Sequence, residues 1–275
     1  MPWDNDPVAF LIEIGQGQTR KIDPGLVALA FSALENPHIS LVSYIEHLDQ
    51  LALETSHSLI GTDAEAHVEA LRGSIHKKFG YEGDSETYND LQNADLIRVI
   101  DRRKGLPVAL GIIYMSVCYR LGWEMQGLSF PGHFLVSLNM GTVRMPIDPF
   151  EGGRTLSAYD MRVILKRIHG EQAQLTSNYY QAVSDRDVLL RLQNNIKLRR
   201  LRMGDLPGAL ITIEGMLAFS PGANELRYET AMIQISLGNI LAAIQQLQAY
   251  LDHETVPIRR GKANALLKDL KARLH

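Results

Sequence analysis

The feature that most constrains the fold is an apolar run that follows a proline, PVALGIIYMSVCYRL, starting at Pro107. Nearly every position from Val108 to Leu121 is apolar or small. Proline suits the first turn of a helix, where its missing N–H costs nothing, and Gly122 is a natural stop. A helix that is apolar on all sides is buried on all sides. The run therefore predicts a central, buried helix that begins at Pro107.

Two short segments after this helix are typical of β-strands, because they are rich in branched residues and flank a glycine-containing turn. They read FLVSL at 134–138 and VRMPI at 143–147. If Met140 and Gly141 form a two-residue loop, His133 lies directly opposite Asp148. Opposed Cβ atoms are ~5 Å apart, so the carboxylate could orient the imidazole. A functional His–Asp pair and a half-buried, merely structural His133 both stay open.

Composition narrows the class of protein. The chain has 275 residues, is 45% hydrophobic and carries a formal net charge of −3, so it can bury a core but has no general attraction for nucleic acid. We therefore expect no nucleic-acid partner, which argues against a DNA-associated regulator. The N-terminus lacks a signal-peptide pattern, and every apolar run is shorter than the ~18 residues of a membrane span. We expect a soluble, cytoplasmic protein with no membrane association.

The single cysteine, Cys118, limits the available chemistry. It excludes an intrachain disulfide and a multi-cysteine zinc site, and the histidines show no HExxH-like pairing. No glycine-rich nucleotide loop is present either, so we expect no metal and no cofactor. Cys118 lies eleven residues after Pro107, which is ~16 Å along a helix axis. We interpret it as a small core residue, too far from the helix start to react there.

The segment before the central helix is polar. Residues 79–93 predict a long loop, and long loops are more often functional than short ones. The basic run Arg102, Arg103 and Lys104 follows it. We interpret this run as a solvated helix end rather than an anion site.

The C-terminal part repeats at a spacing of 34 residues: Gly204-Asp205 returns as Gly238-Asn239, Ala209 as Ala243, and Leu217 as Leu251. This is the tetratricopeptide period of paired helices. We expect units at 190–223 and 224–257 and a cap helix at 258–273. Because such arrays present grooves suited to extended peptides, a protein or peptide partner is expected.

Several motifs together resemble the SirB-type family, which joins a transglutaminase-like domain to tetratricopeptide-like repeats. They are GLPVALGIIY at 105–114, RLG at 120–122, PGHF at 131–134 and IDPFEGG at 147–153, with Tyr88 and Asn93 upstream. The resemblance implies an α+β transglutaminase-like domain with a papain-like core, followed by an all-α repeat segment. We place the first at 1–180, with a helical lead at 1–103 and the core at 104–180, and the second at 185–275.

The transglutaminase-like superfamily places Cys at the helix start, then His and Asp on successive strands. By this resemblance His133 and Asp148 match the His and the Asp, and the Cys position falls at about Pro107. We therefore expect a pseudoenzyme that binds protein or peptide, in a regulatory role or otherwise, through Asn93, Gly132, His133 and Asp148. The alternative is a cysteine-protease-like hydrolase or amide transferase with an atypical nucleophile.

Overall fold

The computed structural model of this chain describes residues 6–17 and 22–273. Its α-helices are α1 Pro7–Gln16, α2 Pro24–Glu35, α3 Val42–His57, α4 Ala64–Leu71, α5 Leu96–Arg102, α6 Pro107–Leu121, α7 Ala158–His169, α8 Asp185–Met203, α9 Leu206–Phe219, α10 Asn224–Ser236, α11 Ile240–His253 and α12 Pro257–Ala272. Its strands are β1 Glu82–Gly83, β2 Lys104–Gly105, β3 Glu124–Leu128, β4 Val136–Met140, β5 Val143–Asp148, β6 Arg154–Thr155 and β7 Ala182–Val183. A π-helical turn at Arg72–Lys78 continues α4, and short 3₁₀ turns lie at Leu91–Asn93 and Ser177–Tyr180.

These elements form two compact units, and the boundary between them falls inside α8, after Ile196. The first unit contains the sheet, and the second contains α1 together with the chain from Lys197 onward. The units differ from the expected ranges 1–180 and 185–275 at α1 and at the start of α8. In α8 the reason is burial, since Val188 and Leu189 have no exposed surface and Val188 lies against Gly127 of β3. As domain bounds, the expected ranges stay a prediction.

Helix α6 is the core of the first unit. Its predicted start and end are confirmed, with Pro107 in the first turn and Gly122 closing the helix at φ 70°. Every residue from Pro107 to Cys118 is buried, and the helix packs against α2, α3 and β3. Cys118 has no exposed surface, and burial raises the pKa of its thiol, so it is the core residue that the sequence predicted. Within the described residues, no helix has the length and apolar character needed to cross a membrane.

The main sheet is antiparallel, with strand order β6-β5-β4-β3-β7. The predicted hairpin register is wrong by two residues: the loop is Gly141 and Thr142, not Met140 and Gly141, and Val136 pairs with Ile147. Gly141 adopts φ 58°, a left-handed conformation that favours glycine, so glycine takes the first loop position. A shift of two residues keeps every side chain on its predicted face, whereas a shift of one would reverse it.

The second unit carries the predicted helical period. Helices α9 and α11 start 34 positions apart, at Leu206 and Ile240, and each has 14 residues. Gly204 and Gly238 precede them with φ values of 75° and 78°. Ala209 and Ala243 have no exposed surface, as expected for small residues at helix contacts. An α+β unit that leads into paired helices agrees with the predicted fold class.

A polar cluster of His47, Tyr81 and Arg103 joins three segments of the first unit. Nη1 of Arg103 lies 2.6 Å from Nε2 of His47, and the Tyr81 hydroxyl lies 2.9 Å from the same nitrogen. Arg103 also donates to the Tyr81 hydroxyl and stacks on its ring. Burial first, and the charge of Arg103 second, lower the pKa of His47 from 6.5 to about 4. His47 is therefore a neutral acceptor in the folded protein at neutral pH.

We predict that this cluster makes the free energy of unfolding depend on pH. Between pH 6.5 and about 4 the unfolded chain binds a proton at His47 that the folded chain does not. The contribution of His47 to the free energy of unfolding is thus fully present above pH 6.5 and declines as the pH falls through that window. His47→Gln keeps an acceptor but removes the titration, so urea unfolding of this variant should show a shallower decline.

The matched control is His38→Gln, which removes an exposed histidine outside the cluster and should follow the wild-type curve. Equal pH slopes for wild type and His47→Gln would contradict the prediction.

Candidate functional site

His133 and Asp148 meet in the structure, although the predicted hairpin register was wrong. Nε2 of His133 lies 3.0 Å from both carboxylate oxygens of Asp148. The carboxylate is almost fully buried, and its Oδ1 also accepts the backbone N–H of Phe150 at 3.0 Å. Because a carboxylate only accepts, Nε2 carries the proton and donates it. Nδ1 of His133 is then an acceptor, and no other described residue hydrogen-bonds to it.

A bend before β4 brings His133 to Asp148. His133 lies three residues ahead of the strand, and Gly132 before it adopts φ 73°. A Cβ at Gly132 would also stand only 2.5 Å from Ile168, so a larger residue would be both strained and crowded. The bend carries the imidazole back across the end of β5, where Asp148 lies. Gly132 thus sets the position of His133, and its own role in binding stays a prediction.

A small cleft of about 100 Å³ lies beside this pair. The first turn of α6 (residues 106–108), the bend at 132–134, Tyr88 of the preceding loop, and Arg191 and Asn195 of α8 line it. Pro107 and His133 therefore line one space, and their correspondence to a nucleophile position and a catalytic histidine stays a prediction. Among the described residues, no group of three or more His, Cys, Asp or Glu side chains is placed to hold a metal ion, either in this cleft or elsewhere.

The ring of Phe150 connects the His–Asp pair to the loop that carries Tyr88. Its centroid is 6.2 Å from that of His133 and 6.0 Å from that of Tyr88, both edge-to-face. The ring rests on Gly83, where a Cβ would come within 2.5 Å of it. The aromatic contacts therefore hold Tyr88 at the cleft beside His133.

The structure does not place Asn93 in the cleft lining. Asn93 is fully buried: Nδ2 donates to the Thr87 carbonyl at 2.7 Å, and Oδ1 accepts from Nη1 of Arg102 at 2.9 Å. Its backbone carbonyl accepts the N–H of Leu106 at 2.8 Å, directly before α6 begins. Asn93 thus supports both the loop and the helix start, and a direct binding role for it stays a prediction.

The interpretation of Arg102 and Arg103 as a solvated helix end is wrong. Both are half-buried, with Arg103 in the His47 cluster and Nη2 of Arg102 2.9 Å from Oδ2 of Asp84. The Thr87 hydroxyl, and less strongly the Thr87 N–H and Arg102, donate to Asp84 and hold the pKa of its carboxyl well below its usual range, against the effect of burial. The loop before Tyr88 is therefore fastened by a buried charge. Arg102 lies 18 residues from Asp84, too far in sequence for a local pattern to reveal the pair.

Sequence reasoning missed the part of α8 that reaches the cleft. Nη2 of Arg191 donates to the backbone carbonyl of His133 at 2.9 Å, and its guanidinium lies over the ring of Phe134 at 5.3 Å. Asn195 follows one helical turn later and donates to the Arg191 carbonyl at 2.9 Å. Their spacing of four residues, which places both on one helix face, was the available signal. Residues from 190 onward had been assigned to the repeats.

Comparisons with known proteins cover nearly the whole chain. The model of the transglutaminase-like superfamily matches residues 42–194, and a tetratricopeptide repeat model matches residues 196–268. A UPF0162 protein of Vibrio cholerae is 29% identical over 90% of this chain and 94% of its own length. A UPF0162 protein of Xylella fastidiosa is 30% identical over 66% of each chain. Protein SirB1 of Salmonella typhimurium is 24% identical over 72% of this chain and 73% of its own.

We predict that Arg102→Gln destabilises the first unit by roughly 2–3 kcal/mol, because it leaves the buried carboxylate of Asp84 without its cation. Hydrogen exchange should accelerate most across residues 84–90, the loop that this pair fastens. Thermal or urea unfolding and exchange mass spectrometry measure the two effects.

Arg98→Gln is the matched control on the same helix, since Arg98 pairs with Asp101 at 3.7 Å where both side chains are exposed to solvent. Its effect should stay within ~1 kcal/mol. Similar losses for both variants would show that the buried pair has no special role.

Proposed function

This chain belongs to the transglutaminase-like superfamily, as a SirB-type protein whose transglutaminase-like domain leads into tetratricopeptide repeats, and we propose that it binds a protein or peptide without catalysis. In this proposal the cleft beside His133 has the architecture of a thiol acyl-transfer site and lacks the nucleophile. The ligand is an extended peptide segment.

The observation that carries the proposal is Pro107 at the helix start, in the same cleft as His133. Proline has no nucleophilic side chain, and it also has no backbone N–H. Acyl transfer needs a nucleophile and preorganised donors for the oxyanion, often including the nucleophile's own N–H. A proline at this position therefore supplies neither the nucleophile nor that N–H donor. Cys118, the only thiol in the chain, is fully buried farther along the same helix and cannot replace it.

The His–Asp pair supports a binding role in place of the catalytic one. Asp148 accepts the Nε2–H of the imidazole, which leaves Nδ1 as an acceptor that no other described residue uses. A peptide N–H is a suitable donor for it, and the aromatic rings of Tyr88 and Phe134 in the lining add apolar contact. Because the imidazole is already oriented, a ligand would lose little free energy in ordering it.

The repeats support the same kind of partner. Tetratricopeptide helices form a protein-interaction architecture whose grooves accept extended peptides. Several large apolar side chains of these helices are exposed, including Met232, Leu241 and Ile258. A polypeptide partner could therefore contact either unit.

A second candidate is hydrolysis with water as the nucleophile, which the acceptor geometry of Nδ1 favours. An imidazole held by Asp148 could take a proton from a water molecule as a general base. This reaction would still lack the backbone donor that Pro107 removes. We therefore rank it below binding.

We predict that the wild-type protein resists acylating and alkylating probes, while Pro107→Cys becomes reactive at residue 107. The new thiol would lie at a helix start beside His133, where its pKa falls and its reactivity rises. The measurement is labelling with iodoacetamide at pH 6, followed by peptide mapping by mass spectrometry. In the wild-type protein, Cys118 should stay unlabelled until the chain is unfolded. Pro107→Cys should label about tenfold faster than Pro107→Cys/His133→Ala.

Ser129→Cys provides a thiol at an exposed position outside the cleft, and its labelling should not depend on His133. Stoichiometric, His133-dependent labelling of the wild-type protein by an acyl probe would instead establish the enzyme alternative.

We also predict that peptides selected from a displayed random library will bind at the cleft and be released intact. Bound peptides should shift the backbone amide signals of Gly132 and His133. The substitution His133→Ala should weaken peptide affinity by about tenfold, the effect of one lost, well-placed hydrogen bond. Mass spectrometry after prolonged incubation reports whether they are cleaved. Cleavage that requires His133, or selected peptides that leave these signals unchanged, would refute binding without catalysis in the cleft.

A further inference from the structure

Arg191 gives the cleft a positive charge that no described residue neutralises. Its guanidinium donates a hydrogen bond to the His133 carbonyl and stacks on Phe134, and Tyr88 interacts with it electrostatically. No carboxylate among the described residues forms an ion pair with it, and no acidic residue lines the cleft. A guanidinium has five N–H donors, so donors remain for a ligand.

Burial lowers the pKa of Arg191, which reflects the cost of removing this cation from water. The group nevertheless stays protonated at neutral pH, as arginine does in proteins. Two other half-buried arginines of the first unit have a carboxylate partner, Arg102 with Asp84 and Arg120 with Asp23, each at 2.9 Å. Arg103 has none, but its guanidinium donates to His47 and Tyr81 and stacks on the Tyr81 ring. Arg191 has no carboxylate partner among the described residues either, and it lines a cleft.

We propose that the cleft recognises a carboxylate, which Arg191 binds through its free N–H groups beside the imidazole of His133. This inference rests on the peptide-binding function proposed above and specifies the ligand's chemistry. The carboxylate is either the C-terminus of a peptide or an Asp or Glu side chain.

Charge and size favour a carboxylate over a phosphate. One arginine balances one negative charge, and its planar donors match the two oxygens of a carboxylate. A phosphate group carries up to two charges, and the other lining residues offer no second permanent cation. The cleft volume of about 100 Å³ suits one small group rather than a bulky ligand. The N-terminus of α6, which has no side-chain cap, adds a weaker attraction for an anion.

The acceptor of His133 complements this charge. A peptide that places its carboxylate on Arg191 also has backbone N–H groups, one of which could donate to Nδ1. The hydrogen bond from Arg191 to the His133 carbonyl joins both groups, so the two recognition points keep a fixed spacing. The site thus combines the N–H donors of one guanidinium with one imidazole acceptor.

The experiment uses the full chain and four capped peptides observed by NMR at the amide signals of Gly132 and His133. N-acetyl-Ala-Ala has a free C-terminus, N-acetyl-Ala-Ala-amide has none, N-acetyl-Ala-Asp-Ala-amide has only a side-chain carboxylate, and N-acetyl-Ala-Asn-Ala-amide is its neutral counterpart. We expect a carboxylate peptide to bind at least about tenfold more tightly than its neutral match. The peptide that binds then shows whether the cleft recognises a C-terminal carboxylate or a side-chain carboxylate. Inorganic phosphate is titrated in parallel and should bind more weakly.

Arg191→Gln should remove the preference for the carboxylate. Arg162→Gln removes the same charge from an exposed site on α7 outside the cleft, and it should keep the preference. If Arg191→Gln does not fold, the four peptides on the wild-type protein still decide the matter.

The carboxylate inference is overturned if neutral and charged peptides bind equally well, and peptide binding in the cleft then stands. It is also overturned if phosphate binds more tightly than every carboxylate peptide, or if folded Arg191→Gln keeps the preference. If no peptide, including those selected from the random library, shifts the cleft signals, the proposed function fails as well.

Discussion

The complete burial of the first three turns of α6 is the constraint on which the cleft depends. Every residue from Pro107 to Cys118 is enclosed by helices on one side and the sheet on the other. A close-packed helix cannot slide or rotate without opening voids. Its start is thereby fixed beside the bend that carries His133. The residue at that start is Pro107.

Satisfied buried polar groups fix the rest of the cleft. Asn93 uses its side chain and its backbone carbonyl to join the 84–93 loop to the start of α6. Asp148 orients His133 by accepting a hydrogen bond from it. Such groups cost free energy if any partner is lost, so they specify one arrangement. Arg191 also lines this frame, and its charge has no anion among the described residues.

Local patterns predicted the elements well and long-range contacts poorly. The bounds of α6, the buried state of Cys118 and the 34-residue period follow from periodicity, proline and glycine, which act within one or two turns. The hairpin register was wrong by two residues because the conformation of Gly141, and not the strand pattern, selects the loop. His133 and Asp148 still meet, since a shift of two preserves the face and the Gly132 bend supplies the remaining reach.

The buried helix, the helical repeats and the proline at the helix start follow from the amino-acid sequence alone, because each depends on residue type at a locally defined position. The roles of Arg102, Arg103 and Arg191, by contrast, follow from contacts between distant parts of the chain. In the sequence they are three similar cations, two at the end of α5 and one within α8. Their partners lie 18, 56 and 58 positions away, at Asp84, His47 and His133. Packing brought these partners together, and among the described residues it placed no carboxylate against Arg191.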